Sequence, residues 1–218
     1  MAILRPFRDY DEKDVINLFA LLNPPVAITS WDTRVTAGSL VGLSAKGWHN
    51  DDSIHDVDQT MNAAGDYSVN NVTSTRWEHT AEITLAGAAN GAGVLGMLLN
   101  HVALFDENGE RLDYNPRKAS ELEAVLPWQA VPVVRRGIFL LSGSDLDGET
   151  FDAGQALTSS SSTAGEWEAA TAGTTSEVHV GYTLGNNHGT AGNADNHTEH
   201  LILLDVGGPS NSGGAHSA

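Results

Sequence analysis

Cysteine is absent from the 218-residue chain, which removes disulfides, thiol nucleophiles and cysteine-ligated zinc. Positive charge is scarce. Eleven Lys and Arg stand against 28 Asp and Glu, giving a formal net charge of −17. The last cation is Arg136, so residues 137–218 carry ten carboxylates and no fixed positive charge. Such a surface repels phosphate backbones and anionic lipids, and neither nucleic acid nor a membrane is expected as a partner. Long apolar runs are also lacking. The longest, Val94 to Phe105, is interrupted by Gly96, Asn100 and His101, well short of the ~20 residues a membrane helix needs. The first eleven residues mix acids and bases and do not read as a secretory signal. A soluble protein that needs no oxidising compartment is expected.

Glycine is plentiful, with 23 residues, and Ser, Thr, Asn and Ala fill much of the remainder. These small residues suit turns and strand ends better than helices. The length allows one sizeable core or two small ones.

Residues 1–24 read as an N-terminal arm. Arg5-Pro6-Phe7-Arg8-Asp9-Tyr10 is polar and interrupted by proline, which argues against a place in a core. The apolar segment from Val15 to Leu22 follows, with Asp14 placed to cap a short helix and Pro24-Pro25 to stop it. This segment suits docking on a neighbour and packing on its own core equally well. Residues 25–206 form the expected β-rich domain. Residues 35–48 suggest one or two strands, and residues 49–68 an acidic surface loop. Ala81, Ile83 and Leu85 alternate with Thr80, Glu82 and Thr84, the period of a half-buried strand. Val94–Phe105 fits a helical stripe or a strand buried on both faces; the turn signal Asp106-Glu107-Asn108-Gly109, with Arg111–Tyr114 as a return strand, favours the strand.

Arg117–Val125 holds good helix formers, enough for one or two turns. Ala130–Leu141 reads as two strands separated by a turn or bulge at Arg135-Arg136-Gly137. Residues 142–176 read as loop, with short edge strands around Trp167. In Glu177–Leu184, the residues Val178, Val180, Tyr182 and Leu184 are expected to share one face. Leu201–Leu204 is a final strand, and residues 207–218 a flexible Gly/Ser tail. The sum is mainly β, a β-sandwich or β-barrel with an extended N-terminal arm.

Signals of chemistry are weak. Gly91-Ala92-Gly93-Val94-Leu95-Gly96 matches the dinucleotide-binding fingerprint, which requires a following helix within a parallel unit; the hairpin at 108–109 breaks that unit. His188, Asp195, His197, Glu199 and His200 cluster in sequence, with His179 as a possible cross-strand addition, but His residues three apart in a strand point to opposite faces. Asp145-Leu146-Asp147-Gly148-Glu149 lacks the oxygen ligands of a calcium loop. The five tryptophans are scattered, as core or interface anchors are, although several on one exposed face would suit a carbohydrate-binding module. Neither a catalytic constellation nor a metal or cofactor site is expected, and the chain reads as a non-enzyme.

Two segments carry a resemblance. Arg5–Ala20, with Asp14-Val15-Ile16-Asn17-Leu18-Phe19-Ala20 at its end, and Ala103–Leu141 resemble structural proteins of tailed bacteriophages that decorate or cement the capsid. Together they span about a quarter of the chain. The resemblance implies a β-rich virion protein on the outer surface of the capsid, a homotrimer that clamps and stabilises the major capsid protein lattice. It implies a docking role for Phe7, Tyr10, Val15, Ile16, Leu18 and Phe19 as anchors, with Arg5 and Arg8 pairing with capsid carboxylates. A head-fibre or tail-associated protein is the alternative within the same class.

Overall fold

Successive residues of a strand point to opposite faces, and this alternation sorts the apolar side chains of the chain into layers. The computed structural model describes residues 3–21, 27–49, 80–87, 93–127, 129–142, 151–170, 179–187 and 199–206. The protein is mainly β. Its strands are β1 (Ile3–Asp9), β2 (Val15–Ile16), β3 (Ala20–Leu21), β4 (Leu40–His49), β5 (Thr80–Leu85), β6 (Val94–Leu98), β7 (His101–Val102), β8 (Ala124–Val125), β9 (Val133–Val134), β10 (Arg136–Ser142), β11 (Ala156–Ser159), β12 (Trp167–Ala169), β13 (Gly181–Asn187) and β14 (Glu199–Asp205). One α-helix, α1 (Pro116–Glu121), is described.

Two six-stranded sheets result, in the orders β1-β10-β14-β13-β11-β12 and β2-β9-β6-β4-β5-β3. All pairings in them are antiparallel except β3 with β5. The inner faces meet in one core. Leu4, Phe139, Leu141, Leu157, Trp167, Ile202 and Leu204 from the first sheet pack with Leu40, Val94, Met97 and Val134 from the second. Burying each large apolar side chain contributes about 1.5–3 kcal/mol. The neighbours Val41, Leu98 and Val133 point the other way, into a second cluster with Leu21, Ile28, Ile83 and Val102. The second sheet is therefore buried on both faces, which explains its continuous apolar runs. A third layer covers it. There β7 and β8 pair in parallel, and Leu112, Ala124 and Leu126 make a small core beside α1.

The chain changes sheets twice at named residues. Segment 3–21 starts in the first sheet as β1 and ends in the second as β2 and β3. Between β9 and β10 the chain returns to the first sheet at Arg135, where the expected turn lies. Gly137, with φ +147°, takes a backbone conformation that side chains disfavour, and an added Cβ would sit 2.7 Å from the Asp9 carbonyl oxygen. Gly96 has a different reason to be glycine. It sits in β6 between β4 and β9, where a Cβ would collide with the Val134 carbonyl. The last glycine of the dinucleotide-like match thus lies within a strand, and the helix such a site requires is not there.

Several expectations change. Residues 3–14 do not stand apart from the core: Leu4 is buried and pairs with Leu141, while Pro6 falls in the irregular stretch between Leu4 and Arg8 on an edge strand, where a missing N–H is tolerated. Asp11, rather than Asp14, caps a single 3-10 turn at Glu12–Asp14. Val15-Ile16 and Ala20-Leu21 then form strands, because β9 and β5 offer open edges. The turn at 106–109 forms, with Gly109 at φ +83° and the Asp106 carboxylate accepting the N–H groups of Asn108 and Glu110. Its return strand shrinks to one bridge, Phe105 with Arg111, before Leu112–Tyr114 closes into a 3-10 turn.

The segment 151–170 is less loop-like than expected, since Phe151 and Trp167 are fully buried. Of the face predicted for 178–184, Val178 lies outside the described residues, and Val180 is buried. Tyr182 and Leu184 are 46% and 45% exposed, while Thr183 is buried. The Thr183 hydroxyl has inward partners, donating to the Asp152 carbonyl and accepting from the Gln155 N–H. The acidic loop expected at 49–68 lies outside the described residues except for His49, which ends β4, and the Gly/Ser tail lies outside them too.

Candidate docking surface

The eight residues expected to dock all lie in β1–β3 or between these strands, so rigid sheets position them. Arg5, Phe7 and Asp9 alternate outward on β1, since Asp9 pairs with the outward Ile138. Phe7 is 54% exposed. Tyr10 leaves the end of β1, 37% exposed, with its ring stacked on Phe139 at 5.8 Å. Val15 and Ile16 are half-buried opposite Val134 and Val133, and Val15 packs on the main core. Leu18 is 39% exposed, whereas Phe19 turns in against the second cluster. Three of the six apolar anchors, Phe7, Tyr10 and Leu18, thus remain available to a partner.

The two arginines are engaged within the chain. The Arg5 guanidinium lies 3.4 Å from the Glu199 carboxylate, and that of Arg8 donates to Glu123 at 2.7 Å. Each arginine thus has a carboxylate partner within the chain.

Between Phe7 and Leu18 the chain borders a cleft of about 330 Å³. Arg8, Tyr10, Val15 and Asn17 line one side, and Leu99 and Pro132 the other. Beyond Asn100 of the cleft wall, His101 is held neutral. Its Nδ1 accepts the Ala37 N–H at 2.9 Å, and its pKa falls to about 4, chiefly through burial and then through the Arg34 charge, with Glu123 opposing and Arg8 adding to the depression. Trp31 meets His101 edge-on, with the Arg34 guanidinium 4.1 Å above the indole. With its pKa near 4, His101 keeps one protonation state near neutrality. Its chemistry is that of packing and hydrogen bonding.

Other sequence signals come apart in space. His188, Asp195 and His197, the Asp145–Glu149 segment, Trp77 and Trp128 lie outside the described residues. His200 is buried and His179 exposed. Among the described residues, no group of three or more His, Asp or Glu is placed to hold a metal ion. Trp167 is sealed in the core, its indole donating to the Gly38 carbonyl.

Sequence reasoning missed the outward residues of β10, β13 and β14. A signal was present: Ile138–Leu141 and Leu201–Leu204 are apolar at every position, so each strand has two apolar faces. Comparison with protein-family models, curated proteins and solved structures finds no match for this chain.

Proposed function

We propose that this chain is a structural protein of a tailed-phage virion, which decorates the outer surface of the capsid and stabilises it by binding the major capsid protein. The resemblance of Arg5–Ala20 and Ala103–Leu141 to such proteins supplies the class. The observation that carries the docking role is the exposure of Phe7, Tyr10 and Leu18, three large apolar side chains of one chain segment, with Tyr10 on the wall of a cleft. Interface energy concentrates in a few such anchors seated in complementary pockets. Because this segment is fixed by sheet pairing, little ordering entropy is lost on contact. Repetition over a lattice multiplies a modest affinity per copy. The acidic surface after Arg136 suits the solvent side of a crowded particle.

The test is cosedimentation of the full-length protein with empty phage heads. Deleting residues 1–22 would remove Leu4, Ala20 and Leu21 from the core and confuse unfolding with lost binding, so the variant is the double substitution Phe7→Ser, Leu18→Ser. The reading expects stoichiometric binding by the parent chain and at least tenfold weaker binding by a variant of unchanged melting temperature. Absence of binding by the parent chain overturns it.

A further inference from the structure

The outer face of the first sheet is laid out in rows. In register, Arg136 stands opposite Asp205, Ile138 opposite Leu203, Leu140 opposite Leu201, and Ser142 opposite Glu199. Leu203 also neighbours Tyr182 on β13. The two middle rows are therefore apolar, and they extend sideways to Tyr182 and Leu184 on one flank and to Phe7 on the other. Ion pairs close both ends, Arg136 with Asp205 at 2.9 Å and Arg5 with Glu199 at 3.4 Å. Ile138, Leu140, Leu201 and Leu203 belong to none of the three core clusters. Cross-strand contact half-buries them, yet among the described residues no layer packs over them.

We infer that two copies of this chain pack face to face through this surface. The segments that join the strands of this sheet, 143–150, 171–178 and 188–198, hold only Leu146 and Val178 as large aliphatic residues. A contiguous apolar face of this kind marks an interaction site. The charge pattern selects the partner. Each copy carries −17, and like-charged copies repel, so a contact between copies requires a face whose charges cancel. Among the described residues of this face, Arg136 and Arg5 balance Asp205 and Glu199, and Asp9 is added at the rim.

A band of two apolar rows between two neutral ends matches itself under a two-fold rotation. Apolar rows then meet apolar rows, and ion pairs meet ion pairs, the self-complementarity a closed dimer needs. Sheets pack on one another in this way about 10 Å apart. Four strands about 4.8 Å apart and seven residues long cover roughly 19 by 23 Å, about 450 Å² in plan. Side-chain relief enlarges this, so two copies approach the roughly 1,200 Å² at which specific interfaces begin. A reversible dimer of moderate affinity follows.

Sedimentation velocity of the full-length protein over a range of concentrations tests this, with Tyr182→Lys, Leu184→Lys as the variant. Both side chains are already half in water, so the fold should tolerate the change, and an unchanged melting temperature establishes that it does. The expected result is a monomer–dimer equilibrium for the parent chain and self-association at least tenfold weaker for the variant. A parent chain that stays monomeric at high micromolar concentration overturns the inference. So does a dimer or trimer that forms equally well in the variant, since its interface then lies elsewhere. Head binding by the same variant is read separately. If it is lost while the parent chain is monomeric in solution, this face docks on the capsid instead, and the capsid reading survives.

Discussion

The indole N–H of Trp167, on one sheet, donates to the carbonyl of Gly38, on the strand-entry loop of the other, at 2.9 Å. Both partners are buried, and the bond ties the two sheets together where β12 forms an edge. Trp167→Phe keeps most of the packing but deprives the buried carbonyl of this donor. The expected loss is about 1–3 kcal/mol. Trp167→Ala adds a cavity and should cost about 3–5 kcal/mol. Urea denaturation followed by circular dichroism gives both values.

Leu4 and Phe7 lie three residues apart on β1, yet substitutions there should behave oppositely. Leu4→Ala opens a cavity in the main core and should destabilise by about 2–4 kcal/mol. Phe7→Ser exchanges an exposed ring for a hydroxyl and should stay within about 0.5 kcal/mol. Equal, small effects from the two would mean that residues 3–9 are not paired with β10.

Much of this was legible in the sequence. The alternation Thr80–Leu85 became β5, and Asn108-Gly109 became a turn, because each rests on local geometry: period two for the strand, positive φ for the glycine. The place of Arg5–Asp9 was not legible. Nothing local in a polar, proline-bearing heptapeptide announces that Leu4 will find Leu141. The two-residue strands β2 and β3 are shorter than any period they might display. At the docking segment, Phe7, Tyr10 and Leu18 are exposed. The internal partners of Arg5 and Arg8 were not legible, since Glu199 and Glu123 reach them only through the fold.

His101 predicts an acid limb in the stability profile. Its pKa is about 4 in the fold, against 6.5 ordinarily, so between these values the unfolded chain binds the extra proton. Stability from this residue is complete above pH 6.5 and drains away as pH falls toward 4. The window corresponds to at most about 3 kcal/mol, reduced by the solvent that reaches part of the ring. In His101→Gln, which stays neutral, the melting temperature should fall less between pH 7 and 4 than in the parent chain. Parallel profiles would contradict this account.

Gly137→Ala tests the crossing between sheets. A methyl group there meets the Asp9 carbonyl oxygen at 2.7 Å and the Tyr10 Cβ at 2.8 Å, at a φ that alanine resists. The expected loss is about 1–3 kcal/mol, or several degrees in melting temperature for a chain of this size. Gly109→Ala, with the same handedness problem but open space around it, should cost less.

The pairing of β1 with β10 also sets a timetable. Asp9 emerges from the ribosome early, but Ile138, its partner, follows more than a hundred residues later, and β14, on the far side of β10, later still. Contacts this distant along the chain slow folding and hold it back until both strands have left the ribosome. The surface that joins Phe7 to Leu140 and Leu201 is assembled from the first strand and the last, so a nascent chain does not possess it. A chain that still lacks β14 has no such face to offer, and the order of synthesis itself delays any contact made through it.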